Sequence, residues 1–358
     1  MSVAESFAPA PEVAGHPAVA AARELATELL APHAAEADSG EGVRRDHLEA
    51  IAAAGLLGVT VPTELGGLGA PAAVDREAQE LLSGACGATW LVSAQHRGPV
   101  ELVAHSDNPA ARERWLAPLG SARTLSGVAF THVRRPGPPA VTARPDGGGW
   151  VLDGAVSWCT GWGLLDVMVL AGQADDGRLV FGLTPMAGGP GLVAEPLDLS
   201  VMGGTGTVAL RLDGLTIPPE GVLLVADRDE WLAADLARTT NATPGALGLL
   251  RAILIGLAES SPDAAAALTA EAVLLRCRAY GLVDEVPPLE RTGERAQLRA
   301  ALAELSVRSA AALVTARAGR AMLRTSNAQR WAREAMFHLV QAQTAPVREA
   351  MLRHVSTG

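Results

Sequence analysis

The sequence predicts an α+β chain: an N-terminal helical domain, a central antiparallel β domain and a C-terminal helical bundle. Three observations carry this reading. Apolar residues recur at helical spacing up to about residue 123. Between residues 124 and 230 the period drops to two, and Gly, Asp and Pro break the pattern into short runs. From residue 231 to the end the helical period returns.

Residues 1–18, with three prolines, read as a loose arm. Leu25, Leu29 and Leu30 mark the first helical stretch, and Arg45 to Ala54 a second, closed by Gly55. The glycine-rich segment 59–69 is a turn that no regular element could hold. Residues 72–105 read as helix again, with Leu81, Leu82, Trp90, Leu91 and Val92 directed inward, and Ala110 to Leu119 as a short helix. The strands are centred on Trp150, Val167, Leu179 and Val208, with hairpin turns at Asp146-Gly147 and Asp176-Gly177. Asn241 to Leu257, Asp263 to Tyr280, Glu294 to Gly319 and Ala328 to Gln341 form the bundle helices, with a loop over Gly281 to Leu289. The domain limits are therefore 1–18, 19–123, 124–230 and 231–358.

Composition narrows the function classes. With 29 basic and 39 acidic residues the net charge is -10, so the chain has no global attraction for nucleic acid or an anionic membrane. Residues 1–18 lack the basic and apolar regions of a signal peptide. No uninterrupted apolar run is long enough to span a bilayer, since Arg251 breaks the longest candidate, Ala246 to Ala258. Cys86, Cys159 and Cys277 are odd in number and far apart, which points to a reducing compartment and a cytoplasmic location. No metal-ligand spacing occurs. Ala- and Leu-rich helices such as Ala301 to Leu313 offer apolar faces for an oligomer.

The most informative segment is Trp150-Val151-Leu152-Asp153-Gly154 followed by Ser157-Trp158-Cys159-Thr160-Gly161-Trp162-Gly163. It reads as a strand, a tight turn and a second strand that ends in a small-residue loop. Ser157-Trp158-Cys159-Thr160-Gly161 resembles the "K-x-W-I-T-N" motif of the acyl-CoA dehydrogenase family. Gly55 to Gly69 resembles that family's first-domain signature. Ala129-Phe130-Thr131-His132 through Gly137 resembles "T-E-P-x-A-G-S-D", and Met202 to Thr207 resembles "M-G-x-R-x-S-x-T". Together the order and spacing cover roughly residues 20–350.

The resemblance implies FAD held between the β domain and the C-terminal helices, an acyl thioester or related small organic substrate, a second subunit completing the site, and an electron-transfer flavoprotein as acceptor. It makes Thr131, Ser157, Trp158 and Thr160 the candidate flavin contacts. Threonines are also ordinary strand residues, and a tryptophan there is also an ordinary core aromatic. Arg278, within Cys277-Arg278-Ala279-Tyr280-Gly281, is the candidate for the cofactor phosphates, although cysteine takes the family's arginine position. Gln341, Gln343 and Thr344 lie where the family meets the adenine half.

The glutamate base of the family is missing. One of its two known positions falls at or near Arg238, and nothing matches the other. Candidate catalytic residues are therefore His96 and His132, whose imidazoles can act as bases near neutral pH, and Arg238, which could bind an anionic substrate. Three readings follow: an FAD-dependent oxidoreductase of acyl-CoA dehydrogenase type with a non-standard base, a flavin-dependent monooxygenase on the same fold, and a non-catalytic partner subunit of a heteromeric dehydrogenase.

Overall fold

The computed structural model describes residues 2–39 and 42–357. Its N-terminal helices are α1 (Val3–Ser6), α2 (Pro11–Ala14), α3 (Pro17–Glu24), α4 (Ala34–Asp38), α5 (Arg45–Ala53), α6 (Ala72–Ala85), α7 (Gly87–Ala94), α8 (Arg97–Ala104) and α9 (Pro109–Gly120). A π-helical turn over Leu25–Leu30 continues α3. The stretch expected as one helix over 72–105 is three, because Cys86 is extended (φ -150°) and the chain turns again at Gln95 and His96.

The first 18 residues are not a loose arm. A capping box at Ser2 and Glu5 opens α1. Phe7 is fully buried, with the guanidinium carbons of Arg251 and Arg276 each 6.0 Å from its ring. One buried aromatic side chain is enough to anchor so short a segment.

The central sheet has eight strands: β1 (Ser126–Ala129), β2 (Val141–Asp146), β3 (Gly149–Cys159), β4 (Val167–Ala174), β5 (Leu179–Pro185), β6 (Leu192–Pro196), β7 (Val208–Ile217) and β8 (Val222–Ala226). The order is β6-β7-β3-β2-β4-β5-β8, with β1 also on β4. It is mainly antiparallel, as expected, and the hairpins turn at Asp146 to Gly149 and at Asp176-Gly177. Two pairings are parallel: β1 takes the first half of β4 and β2 its end. They share one edge of β4, so Ala171 and Gly172 fall in the gap between them.

The last helices are α10 (Arg228–Thr239), α11 (Pro244–Ala258), α12 (Pro262–Glu285), α13 (Thr292–Arg317), α14 (Asn327–His338) and α15 (Ala345–Thr357). Asp227 caps α10 by accepting from the Asp229 and Glu230 amides, and Thr243 caps α11 ahead of Pro244. The loop expected from Gly281 is helix as far as Glu285, because one glycine is tolerated inside a helix this long. By length and apolarity the stretch Arg228–Ala258 could cross a membrane; 61% of its most apolar part is buried against the protein itself, and residues 240–243 divide it.

Close contact joins the two helical layers. A Cβ at Gly248 of α11 would stand 2.1 Å from the Glu80 carbonyl of α6, so only glycine permits this approach. Beside it, Arg251 donates to Glu77 at 2.8 Å, and Arg276 and Tyr280 of α12 donate to Glu80 at 2.8 and 2.6 Å. Two carboxylates and two guanidiniums balance in this buried cluster. Two arginines of α13 close other helix ends. Arg295 donates to the Leu282 and Val286 carbonyls of α12, and Arg299 to the carbonyls of Thr239 and Gln341. Burial pulls the Arg299 pKa down to about 10. The carbonyl ends of α10 and the turn after α14 supply the negative potential that this buried cation needs.

Candidate active site

The C-terminal end of β3 lies beside β1 and the loop that follows it. A Cβ on Gly127 of β1 would meet the Thr160 carbonyl at 3.4 Å, and Arg135 donates to the Ser157 hydroxyl at 3.2 Å. The structure thus brings together Thr131, Ser157, Trp158 and Thr160. Thr131 is half-buried and opens a 3-10 turn through Arg134. Trp158, 46% exposed, presents its indole outward and forms a flat apolar ledge. The Thr160 hydroxyl lies 3.1 Å from that of Thr207, which lies 2.7 Å from that of Thr205.

The loop of Met202 to Thr207 builds the floor under this ledge. The Gly161 amide donates to the Thr205 carbonyl at 3.0 Å, and the Trp162 amide to the Gly206 carbonyl at 2.9 Å. Gly206 is left-handed (φ +59°), and a Cβ there would lie 2.5 Å from the Trp162 carbonyl. The glycines of that motif therefore serve a close backbone approach. Cys159 points into the core, its thiol pushed up to about 12 by burial, and has no redox character.

His96 is buried with both ring nitrogens engaged. Its Nε2–H donates to the Leu119 carbonyl at 2.9 Å, and its Nδ1 accepts from the Ser126 amide at 3.1 Å. His132 fills the gap along β4: its Nε2–H donates to the Ala171 carbonyl at 3.0 Å. Burial lowers the pKa of each imidazole to about 4. The expectation of a histidine base is corrected on these grounds, since both rings are committed to holding backbone.

Arg238 is exposed and already paired. It sits on the exposed side of α10 and donates to Glu101 of α8 at 2.7 Å. One turn earlier Asp235 is buried and accepts from Arg134 through both oxygens, at 2.7 and 2.9 Å. Arg134 is therefore spent on an internal pair, while its neighbour Arg135 reaches the ledge through Ser157. Arg278 stands on the exposed face of α12, 3.6 Å from Glu294. It does not join the ledge residues within this chain. Asp235 and Glu101 were missed in the sequence. An acid one turn before Arg238 was a usable signal for Asp235, whereas nothing in the spacing marks Glu101.

The ledge fits the ring half of a flavin: an open aromatic face with hydroxyls at its rim. The phosphate half finds no gathered cations beside it, since Arg134 is paired inward and Arg278 faces outward.

The model of the acyl-CoA dehydrogenase N-terminal domain matches residues 17–123. The chain is 28% identical over 246 residues to a mitochondrial isovaleryl-CoA dehydrogenase of Oryza sativa subsp. japonica, covering 64% of this chain and 59% of that protein. It is 27% identical over 214 residues to the human mitochondrial short-chain specific acyl-CoA dehydrogenase, covering 56% and 51%. The chain is thus similar to the acyl-CoA dehydrogenases, whose N-terminal domain model it matches over residues 17–123. It spans about half to three fifths of the length of these curated relatives. Its fold is that of a glutaryl-coenzyme A dehydrogenase solved with glutaryl-CoA, at TM-score 0.81 and 18% identity over 98% of this chain and 97% of the other. A dibenzothiophene monooxygenase from Paenibacillus sp. A11-2 shares it at TM-score 0.73 and 20% identity, over 95% and 96%. The shared fold accounts for the order helices, sheet, bundle.

Proposed function

We propose that this chain is an FAD-dependent oxidoreductase of acyl-CoA dehydrogenase type, acting on an acyl thioester or a related small carboxylic substrate without the family's glutamate base. The observation that carries the reading is the ledge, where an outward-facing Trp158 stands among Thr131, Ser157 and Thr160. A half-exposed indole beside hydroxyl groups is a face on which a planar aromatic group can pack, with hydrogen-bond partners at its edge. When bound, FAD supplies an acceptor for a hydride equivalent. The chain's own residues orient it: Trp158 stacks or abuts the ring, and the hydroxyls of Thr131 and Thr160 bond its polar edge. Arg278, directed away from the ledge, serves a phosphate only across a subunit boundary.

The same reading assigns a second copy or a homologous subunit as partner, an electron-transfer flavoprotein as acceptor, and the cytoplasm as location, which suits three unpaired cysteines. A second reading, the non-catalytic partner subunit, draws on Arg238 at a base position and Cys277 at the family's phosphate arginine.

The test is anaerobic addition of butyryl-CoA and isovaleryl-CoA to the FAD-loaded protein. Bleaching of the flavin bands with release of an unsaturated thioester supports the dehydrogenase reading. Hydroxylated product from NADH-reduced protein and oxygen would assign the monooxygenase instead. Colour and turnover that appear only with a co-expressed homologue would assign the partner subunit.

A further inference from the structure

We propose that Glu101 is the proton acceptor of this site and that Arg238 orients it; this rests on the flavoprotein reading above. The starting point is α8. It runs alongside β1 in the same direction: the ring of His96, just before the helix, meets Ser126, and a Cβ on Gly98 would meet Val128 at 3.6 Å. Glu101, nearly a turn further along, therefore stands toward the end of β1, where the chain turns into Thr131. Arg238, near the last residue of α10, meets it there, and its Nη1 lies 2.7 Å from Glu101 Oε2.

The buried carboxylates of α6 and α10 are closed off. Asp235 gives both oxygens to Arg134. Asp75 is buried and paired with Arg97. Glu77 and Glu80 lie in the buried cluster with Arg251 and Arg276. Glu101 differs from all of them: its side chain is 45% exposed, and Arg238 engages it through Oε2. The resemblance puts a carboxylate where Arg238 now stands. Here the two members of a pair have exchanged sides, and the negative charge comes from α8.

The step is a simple proton transfer. An oxygen of Glu101 takes the proton from the α carbon of an acyl thioester. The C–H bond breaks, an O–H bond forms, and the electron pair stays on the α carbon, conjugated with the thioester carbonyl. No oxidant enters, and the reverse step returns a proton from solvent-exchanged Glu101. The guanidinium of Arg238 fixes the carboxylate by a charge-assisted hydrogen bond. Because an exposed pair adds little to stability, variants at both positions keep the fold.

The experiment uses the full chain loaded with FAD and two probes, butyryl-CoA and isovaleryl-CoA, in deuterated buffer without oxygen. Mass spectrometry reads deuterium at the α carbon, and the visible spectrum of each protein is recorded in parallel. The wild type exchanges. E101Q, with flavin bands unchanged, slows exchange by roughly 100-fold or more, the range of a lost general base. R238Q lowers the maximal rate about tenfold without raising the probe concentration for half-maximal rate, as expected of an orienting group. The double variant E101R/R238E recovers exchange above the level of E101Q. A yellow E101Q protein that exchanges as fast as wild type overturns the assignment, and so does a yellow wild type that exchanges neither probe. R238Q with a raised half-saturation and an unchanged maximal rate overturns the orienting role. A wild type that takes up no FAD sinks the flavoprotein reading itself, and this proposal with it.

Discussion

The imidazole of His132 and the carbonyl of Ala171 lie 3.0 Å apart at the gap in the edge of β4, between the last residue paired to β1, Leu170, and the first paired to β2, Gln173. A side chain here does the work of a missing strand neighbour. A buried carbonyl without a partner is costly, and the histidine meets that need from the loop that also carries Thr131. Sheet integrity and ledge geometry thus depend on one residue.

Replacing His132 by alanine leaves that carbonyl without its donor. The expected loss is about 1–3 kcal/mol. Urea denaturation followed by circular dichroism measures it, and an unchanged midpoint would show that water replaces the ring at no cost.

Acid sensitivity follows from the buried histidines. His96, His132 and His338 have folded pKa values lowered to about 4 by burial, from 6.5. Between those values the unfolded chain binds protons that the folded chain refuses. Stability is therefore full above about pH 6.5 and falls as pH drops toward 4, each ring contributing on the order of 3 kcal/mol at most. Denaturation midpoints taken across pH 7 to 4 should fall steadily, and less steeply in His96→Gln.

The pair of Arg134 and Asp235 ties the ledge loop to α10. Both side chains are largely buried, so removing one partner strands a charge. Asp235→Ala is expected to lose about 3–5 kcal/mol, and a joint replacement by Met and Leu much less. A double-mutant cycle read by chemical denaturation checks this, with additive losses as the contrary result.

Gly248→Ala tests the contact of α11 with α6. Its new methyl would stand 2.1 Å from the Glu80 carbonyl and 2.2 Å from the Ser83 hydroxyl. Backbone cannot move aside as a side chain can, so the loss should reach or exceed about 1–3 kcal/mol. Thermal melting reads it; a variant as stable as the wild type would mean that the helices separate freely.

Much of the fold was legible because period is a local property. The switch from helical spacing to alternation and back placed all three layers, and Asp146-Gly147 and Asp176-Gly177 marked their hairpins. What escaped depended on distant partners. Phe7 looked like part of a free arm because Arg251 and Arg276, which flank it, lie far away in sequence. The parallel pairings on β4 follow from chain path, not from residue pattern. At the candidate site, motif spacing singles out Trp158 and its hydroxyl neighbours, which the flavin proposal uses. His96 and His132 were chosen for their chemistry, yet their surroundings set them as backbone anchors. Glu101 had no local mark at all, since only the fold brings it to Arg238.

The ledge of Trp158 and Thr160 as a flavin platform is the centre of this account, and its most direct measurement is the visible spectrum of the full chain after incubation with FAD and gel filtration. The account predicts oxidised-flavin bands that co-elute with the protein and weaken when Thr160 is replaced by valine and Trp158 by alanine. A protein that leaves the column colourless, alone and with a second homologous subunit alike, would contradict it.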